Sequence, residues 1–417
     1  MELLALAHAV LSFSSSKSKD SLSTLILRTR SCKCSDQRDK IFGLLSLTYD
    51  HVDIVVDYSK PVREVFQVFV TNLLVETRRL DILTLCSLQD SPLALPTWAN
   101  CSVPSTSEIL PVQRADAATY ARAFSLGSGV LVATGICVAR VDQIELTDSL
   151  QTIWNGDTAR EWEIARYLGN LATLIVGLGN SRIAGPKIES LCRALCCGAF
   201  SYKYLNSDIQ EVLPDFRRSV QCTSQWWAWS KGIGSSEDRT VLSPDSRYQQ
   251  FIDVVVTYLA GRSVIKTSND LIGIAHEATQ KEDVVCVLLG CSSPLILRPR
   301  EAGHYAIVGE CYIDGIMTGE TFLGQFHENW RIVKKWFPQY GYFYDSFHDS
   351  QSGINQSEDP RLGQLPAGWR YKSHDFQDAA PAYVNDETGE DLGYLHPNLR
   401  YEALKARGIE FEEFRLV

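Results

Sequence analysis

No dense run of lysine and arginine occurs in the 417 residues, and acidic side chains outnumber basic ones 50 to 40, for a formal net charge of -10. A face that neutralises phosphates needs clustered cations, so nucleic acid is excluded as an expected partner. The CxxC pairs of a zinc site are also missing. Of the 12 cysteines only Cys32/Cys34 and Cys192/Cys196/Cys197 cluster, while Cys137, Cys286 and Cys311 sit in apolar, strand-like runs as small buried hydrophobes. No metal site is expected, and reduced thiols fit a cytoplasmic protein. No segment approaches the roughly 18 apolar residues of a membrane span, so no membrane insertion is expected. The opening MELLALAHAVLSF has Glu2 where a leader would be basic, and its leucines fall on one side of a helix, so it reads as a buried amphipathic segment of a soluble chain.

The common catalytic signatures are absent too. There is no GxxxxGK[ST] phosphate loop, no GxSxG elbow and no HExxH; GCSSP at 290–294 fails the elbow spacing. Gly177-Leu-Gly179 opens like a dinucleotide fingerprint, but Arg182 stands in the third glycine's place and a helical pattern precedes it. No cofactor is expected.

What is present is an ordinary globular balance, 45% hydrophobic and 22% charged, with enough length for two domains. Residues 1–90 read as helical, with a helix over 37–47 capped by Asp36, a helix over 62–77 beginning after Pro61, and one short strand at Ile54–Asp57. Residues 91–115 read as loop, and 130–144 alternate as a strand. Helical periodicity returns over 158–176, 186–197 and 245–260. Five short β-rich runs then follow between 262 and 314, separated by turn residues. The predicted fold class is α+β: a helical body with a small antiparallel β-sheet or barrel and a WW-like C-terminal appendage. The predicted division is a body over 1–350, helical at 1–128 and 145–261 and β-rich at 129–144 and 262–320, and a tail over 351–417 ending in a charged helix.

Two groups of residues invite a functional reading. Trp226, Trp227 and Trp229 bring three indoles into four positions; they either pack in the core or line a cavity for an apolar ligand, with Trp226 and Trp229 as candidate pocket walls. The β-rich segment carries His276, Asp283, Arg298, Glu310, Tyr312 and Asp314. Glu310 and Tyr312, two apart on one strand, share a face. A buried Glu310 needs a partner, for which Arg298 is the candidate, either closing the sheet or orienting a substrate. His276, Arg298 and Tyr312 are the candidate catalytic donors, with Glu310 among the substrate-binding residues.

CSDQRDKIFGLLSL (34–47), IVVDYSKPVREVF, LDILTLC and LPTWAN, in this order, resemble the region that follows the heterokaryon incompatibility (HET) module of filamentous-fungal proteins. LIGIAHEATQKEDVVCVLLGCSSPLILRP and YAIVGECYIDGIMTGE resemble their β-rich C-terminal segment, and LPAGWR…YVNDETGE…HPNLRYEALKARG their tail. The ALSYxWG-like and W-x-D-x-x-CINQ-like stretches of the HET module itself do not occur, so incompatibility signalling is not expected of this chain alone. A GLGP…GD pattern is replaced by Gly273-Ile-Ala-His276 and Glu282-Asp283, and Tyr394 stands where a WW domain has its second Trp. The resemblance implies a cofactor-independent enzyme of fungal secondary metabolism, cyclising or isomerising an apolar terpenoid or polyketide substrate in the Diels–Alderase manner. The alternative it implies is a HET-derived, non-enzymatic module that senses a ligand or holds a partner protein. Nothing in the sequence points to an oligomeric state.

Overall fold

The computed structural model describes residues 21–48, 52–88, 94–101, 110, 113–127, 129–146, 168, 171, 186–200, 246–337, 342–372 and 382–417. Trp226, Trp229, the N-terminal apolar segment and the periodic stretch around 158–176 lie largely or wholly outside these residues. Among the described residues the chain is mixed α+β, as its patterning predicts, and no helix is long and apolar enough to cross a membrane.

Helix α1 (Leu22–Thr29) is capped by the Ser21 hydroxyl, which accepts from Thr24 N at 3.3 Å, and buries Leu22, Leu25 and Ile26. Helix α2 covers only Asp39–Phe42, shorter than the 37–47 expected. Asp36 does not cap it: the carboxylate accepts from Arg38 N at 2.9 Å and grips the Arg38 guanidinium at 2.6 Å, which shapes a turn instead. Arg38 and Lys40 then bind the backbone carbonyls of Lys60 and Arg30 at 2.8 and 2.7 Å, so this charge cluster stitches neighbouring segments together. Helix α3 (Val62–Thr77) follows Pro61 and presents Val65, Phe66, Phe69, Val70, Leu73 and Leu74 as one buried stripe. The strand expected at Ile54–Asp57 is not formed. That segment carries no strand pairing, and Val55 and Val56 are exposed.

The main sheet begins with β1 (Ala123–Ser125) and the 16-residue β2 (Leu131–Leu146). Helices α4 (Pro186–Leu195) and α5 (Ser246–Leu259) come next. The five predicted β-rich runs are all strands: β3 (Arg262–Thr267), β4 (Ile272–His276), β5 (Val284–Leu288), β6 (Leu295–Pro299) and β7 (His304–Ile313). The pairing order is β1-β2-β3-β4-β7-β6-β5, and β5 also pairs with β2. Register shifts at Cys137/Ala139 and Val141/Gln143 bend β2, so its residues 135–140 pair with β5 and 141–146 with β3. Bulges of this kind let a sheet coil back on itself.

Both faces of this sheet are buried, which is why its strands read as near-continuous apolar runs. Period-2 alternation sorts them into two cores: Val284, Cys286 and Leu288 face α1–α3, whereas Val285, Val287 and Leu289 face α4 and α5.

The remaining elements were less legible. Helix α6 (Glu320–Leu323) precedes a three-stranded sheet of β8 (Trp330–Phe337), β9 (Tyr342–Asp349) and β10 (Asn355–Gln356), which the patterning did not single out. In the tail, β11 (Trp369–Lys372) and β12 (Ala382–Asn385) form a two-stranded pair, followed by helix α7 (Tyr401–Ala406). The last strand, β13 (Glu412–Leu416), crosses the division drawn at 350/351. It inserts into the main sheet, antiparallel to β2 and parallel to β7, and Phe414 and Leu416 are buried there.

Candidate functional site: a buried polar cluster in the main sheet

The polar residues singled out in the β-rich segment fall into three groups. The first lies where β3, β4 and β7 run side by side. Arg262 and His276 are directly opposite in the β3–β4 register, and Ala275 pairs with Cys311, so His276 falls beside Glu310 on the same face. Arg262 Nη2 donates to Glu310 Oε1 at 2.7 Å, and the same oxygen accepts from Leu110 N at 3.0 Å. Arg262 is 3% and Glu310 6% exposed, so this ion pair is shut off from water.

Arg298 is therefore not the partner of Glu310. The β6–β7 register sets Leu295 opposite Glu310 and Arg298 opposite Ala306, which carries the guanidinium to the far end of the strand. There it forms the second group, donating to both Asp283 oxygens at 2.9 Å and to Ala278 O at 2.6 Å. The peptide of Ala278 joins the two groups, because its N–H donates to His276 Nδ1 at 3.1 Å. In the third group Arg193 of α4 binds both oxygens of Asp314 at 2.9 Å, close to the Tyr312 ring.

Helix α4 closes over this face. It stops with Gly198 N donating to Arg193 O at 3.0 Å and Cys197 in the left-handed region at φ 50°, a Schellman-type end. That geometry brings Cys197 near Arg262 and Glu310. It also sets Gly198 so that an added Cβ would come within 3.1 Å of the Tyr312 hydroxyl oxygen. Gly309 serves the same packing on β7, since a Cβ there would lie 2.9 Å from the Cβ of His276.

The protonation states follow from burial. Desolvation, with the Arg262 cation adding to it, holds His276 down at about 4. The imidazole is neutral at physiological pH, and since Nδ1 accepts from Ala278, the N–H is on Nε2. Burial pushes the Tyr312 phenol and the Cys197 thiol well above their ordinary values, so both stay protonated. What the cluster offers is uncharged donors, fixed in protonation, beside an internally compensated ion pair.

A pH dependence results. The unfolded chain's His276 takes up a proton near the ordinary value of 6.5 and the folded one only near 4. The unfolded state therefore binds more protons in that window, and stability falls as pH drops from about 6.5 to about 4. The loss attributable to His276 is at most about 3 kcal/mol. Urea denaturation at pH 7 and pH 4.5 measures it, and His276→Gln should flatten the slope in that window.

Sequence reasoning placed His276, Glu310 and Tyr312 in one sheet but missed Arg262, Cys197 and Arg193. Arg262 opens β3, where a charged residue reads as the solvated end of a strand. Cys197 and Arg193 come from a helix far away in the chain, and no local pattern ties them to β7.

These features define an α+β protein built around a coiled β-domain with a buried polar seam. Residues 230–333 match the Het-6 β-barrel domain, and this match supports the kinship with HET proteins read from the sequence. The matched span contains β3 through β7, with His276, Arg298, Glu310 and Tyr312. No curated protein and no solved structure matches the chain.

Proposed function

We propose that the chain is a HET-derived, cofactor-independent cyclase or isomerase acting on an apolar terpenoid or polyketide substrate, of the pericyclase or Diels–Alderase type. The observation that supports this reading best is the buried, neutral His276, whose Nε2–H is a donor of fixed protonation beside the compensated Arg262–Glu310 pair. A neutral donor can polarise an activating carbonyl without giving up its proton, and a cycloaddition requires no nucleophile. Tyr312 is the second candidate donor. Arg298, engaged by Asp283, acts by holding the 276–283 turn that orients His276. The substrate would be an apolar chain with one conjugated carbonyl.

The test uses purified protein and a linear polyene bearing a tethered diene and an α,β-unsaturated carbonyl. Product formation is expected to exceed the protein-free rate, and His276→Phe should lower it by about 10²-fold with the fold retained by circular dichroism. Equal rates with and without folded protein would remove the enzymatic reading.

A second reading, a non-enzymatic ligand-sensing or protein-interaction module, is favoured by a different observation: the carboxylates of Glu310, Asp283 and Asp314 are all engaged by internal arginines. It predicts saturable binding of an apolar anilinonaphthalene sulfonate probe to the folded protein, with no turnover of the polyene.

A further inference from the structure

Cys137 was expected to be a buried hydrophobe like its neighbours, and it is the exception. Cys286 and Cys311 are fully buried, but Cys137 is only partly so. It sits on β2 directly opposite Cys286 of β5, in the stretch where the coiled sheet returns to β2. Leu289 N donates to Thr134 O at 3.0 Å. Ladder bonds in an antiparallel pair fall on alternate residues, so the 134 and 136 positions carry them and the 135 and 137 positions lie between. Cys137 and Cys286 thus form a non-hydrogen-bonded pair, the type whose Cα atoms approach to about 4.5 Å and whose side chains lie closest. A disulfide spans Cα separations of about 4.4–6.8 Å, so this register is compatible with a bridge, and the two thiols are already in hydrogen-bond contact.

We propose that Cys137 and Cys286 are a peroxide-sensitive dithiol whose oxidation staples β2 to β5 and locks the coiled sheet.

The two sulfurs have different roles. Cys137 is reachable from solvent, and the hydrogen bond from the Cys286 thiol holds it down at about 7, so a large fraction is thiolate at neutral pH. Burial pushes Cys286 well above its ordinary value, so it stays a thiol until its partner is oxidised. The charged and titratable groups around the pair include Glu412 of β13, Arg140 of β2, and Tyr305 and Cys311 of β7. Glu412 opposes the thiolate and Arg140 favours it.

The chemistry balances with hydrogen peroxide as oxidant. The Cys137 thiolate attacks one peroxide oxygen, the O–O bond breaks, and hydroxide leaves, giving a sulfenic acid. The Cys286 sulfur then attacks the Cys137 sulfur, its proton passes to the departing hydroxyl, and water leaves as the S–S bond forms. Two thiols and one peroxide give one disulfide and two waters.

The experiment exposes the full-length reduced protein to a small excess of hydrogen peroxide, alkylates the remaining thiols under denaturing conditions, and maps the peptides by mass spectrometry. The expected result is a linked Cys137–Cys286 peptide lighter by two hydrogens, with Cys86 and Cys311 still alkylated. In Cys286→Ser the reaction should stop at a Cys137 sulfenic acid trapped by dimedone, and in Cys137→Ser no link should form. The oxidised wild type should melt at a higher temperature than the reduced protein, a difference that Cys137→Ser abolishes. A native-state alkylation rate at Cys137 no faster than at Cys311 would overturn the proposal, as would peroxide-treated protein that yields no linked peptide.

Discussion

Glu310→Ala is expected to destabilise the fold by about 3–5 kcal/mol, the cost of leaving one charge of a buried pair alone. The carboxylate takes a 2.7 Å hydrogen bond from Arg262 and a 3.0 Å bond from Leu110 N. Without it the Arg262 guanidinium, 3% exposed, loses its carboxylate counter-charge and the Leu110 amide loses its acceptor. Glu310→Gln keeps an acceptor for Leu110 but not the charge, so an intermediate loss is expected. Replacing both partners, as in Arg262→Met with Glu310→Leu, removes the stranded charge and should recover most of the stability. Urea denaturation of the three variants measures this. A single variant within about 0.5 kcal/mol of the parent, the range of ordinary surface changes, would mean that the pair does not hold β3 against β7.

Gly290→Ala is the second large effect, about 3–5 kcal/mol, because two penalties coincide there. Gly290 adopts φ +78°, and a Cβ would lie 2.4 Å from Ala121 N and 2.6 Å from Ala121 Cα, both backbone atoms that no rotamer change can move. The same residue pins the β5–β6 turn. Its N–H donates to the Thr119 hydroxyl at 3.0 Å, and its carbonyl accepts from Leu80 N at 2.6 Å. Gly303→Ala is the internal control: φ is +72° there, but nothing lies within 4 Å of the added Cβ. It should lose only the conformational part, about 1 kcal/mol. Similar losses at both sites, read from denaturation midpoints, would show that close approach to Ala121 is not the cause. GCSSP failed as a nucleophile elbow in the sequence, and the structure explains what its glycine does: it admits a neighbouring backbone.

The charge cluster at 34–40 also has a structural explanation. Four charges in five residues, Asp36 to Lys40 with Gln37 between, resemble a reactive site only while their partners are unknown. In the fold Arg38 and Lys40 bind carbonyls of the 58–60 loop and of Arg30, and the Tyr58 hydroxyl donates to Asp39 at 2.5 Å. Such a cluster ties neighbouring segments of this chain together, which is a structural role. The candidate chemistry lies elsewhere, in the main sheet.

The sequence by itself determined the five strands between 262 and 313, the long strand at 131–146 and the helices at 62–77, 186–195 and 246–259. Each rests on a local physical signal: alternation or an apolar run bounded by turn residues for strands, a 3.6-residue stripe for helices. The tertiary structure alone decided which side chains meet. Arg298 goes to Asp283 and Arg262 to Glu310 because bulged registers, and not spacing along the chain, set cross-strand neighbours. Likewise Cys197 at the end of α4 lies near the Arg262–Glu310 pair, β13 enters a sheet begun far earlier in the chain at Ala123, and Cys137 meets Cys286 across the returning edge. Periodicity is a property of neighbours along the chain; contact between distant segments depends on how the sheet coils, and no single stretch of sequence encodes that.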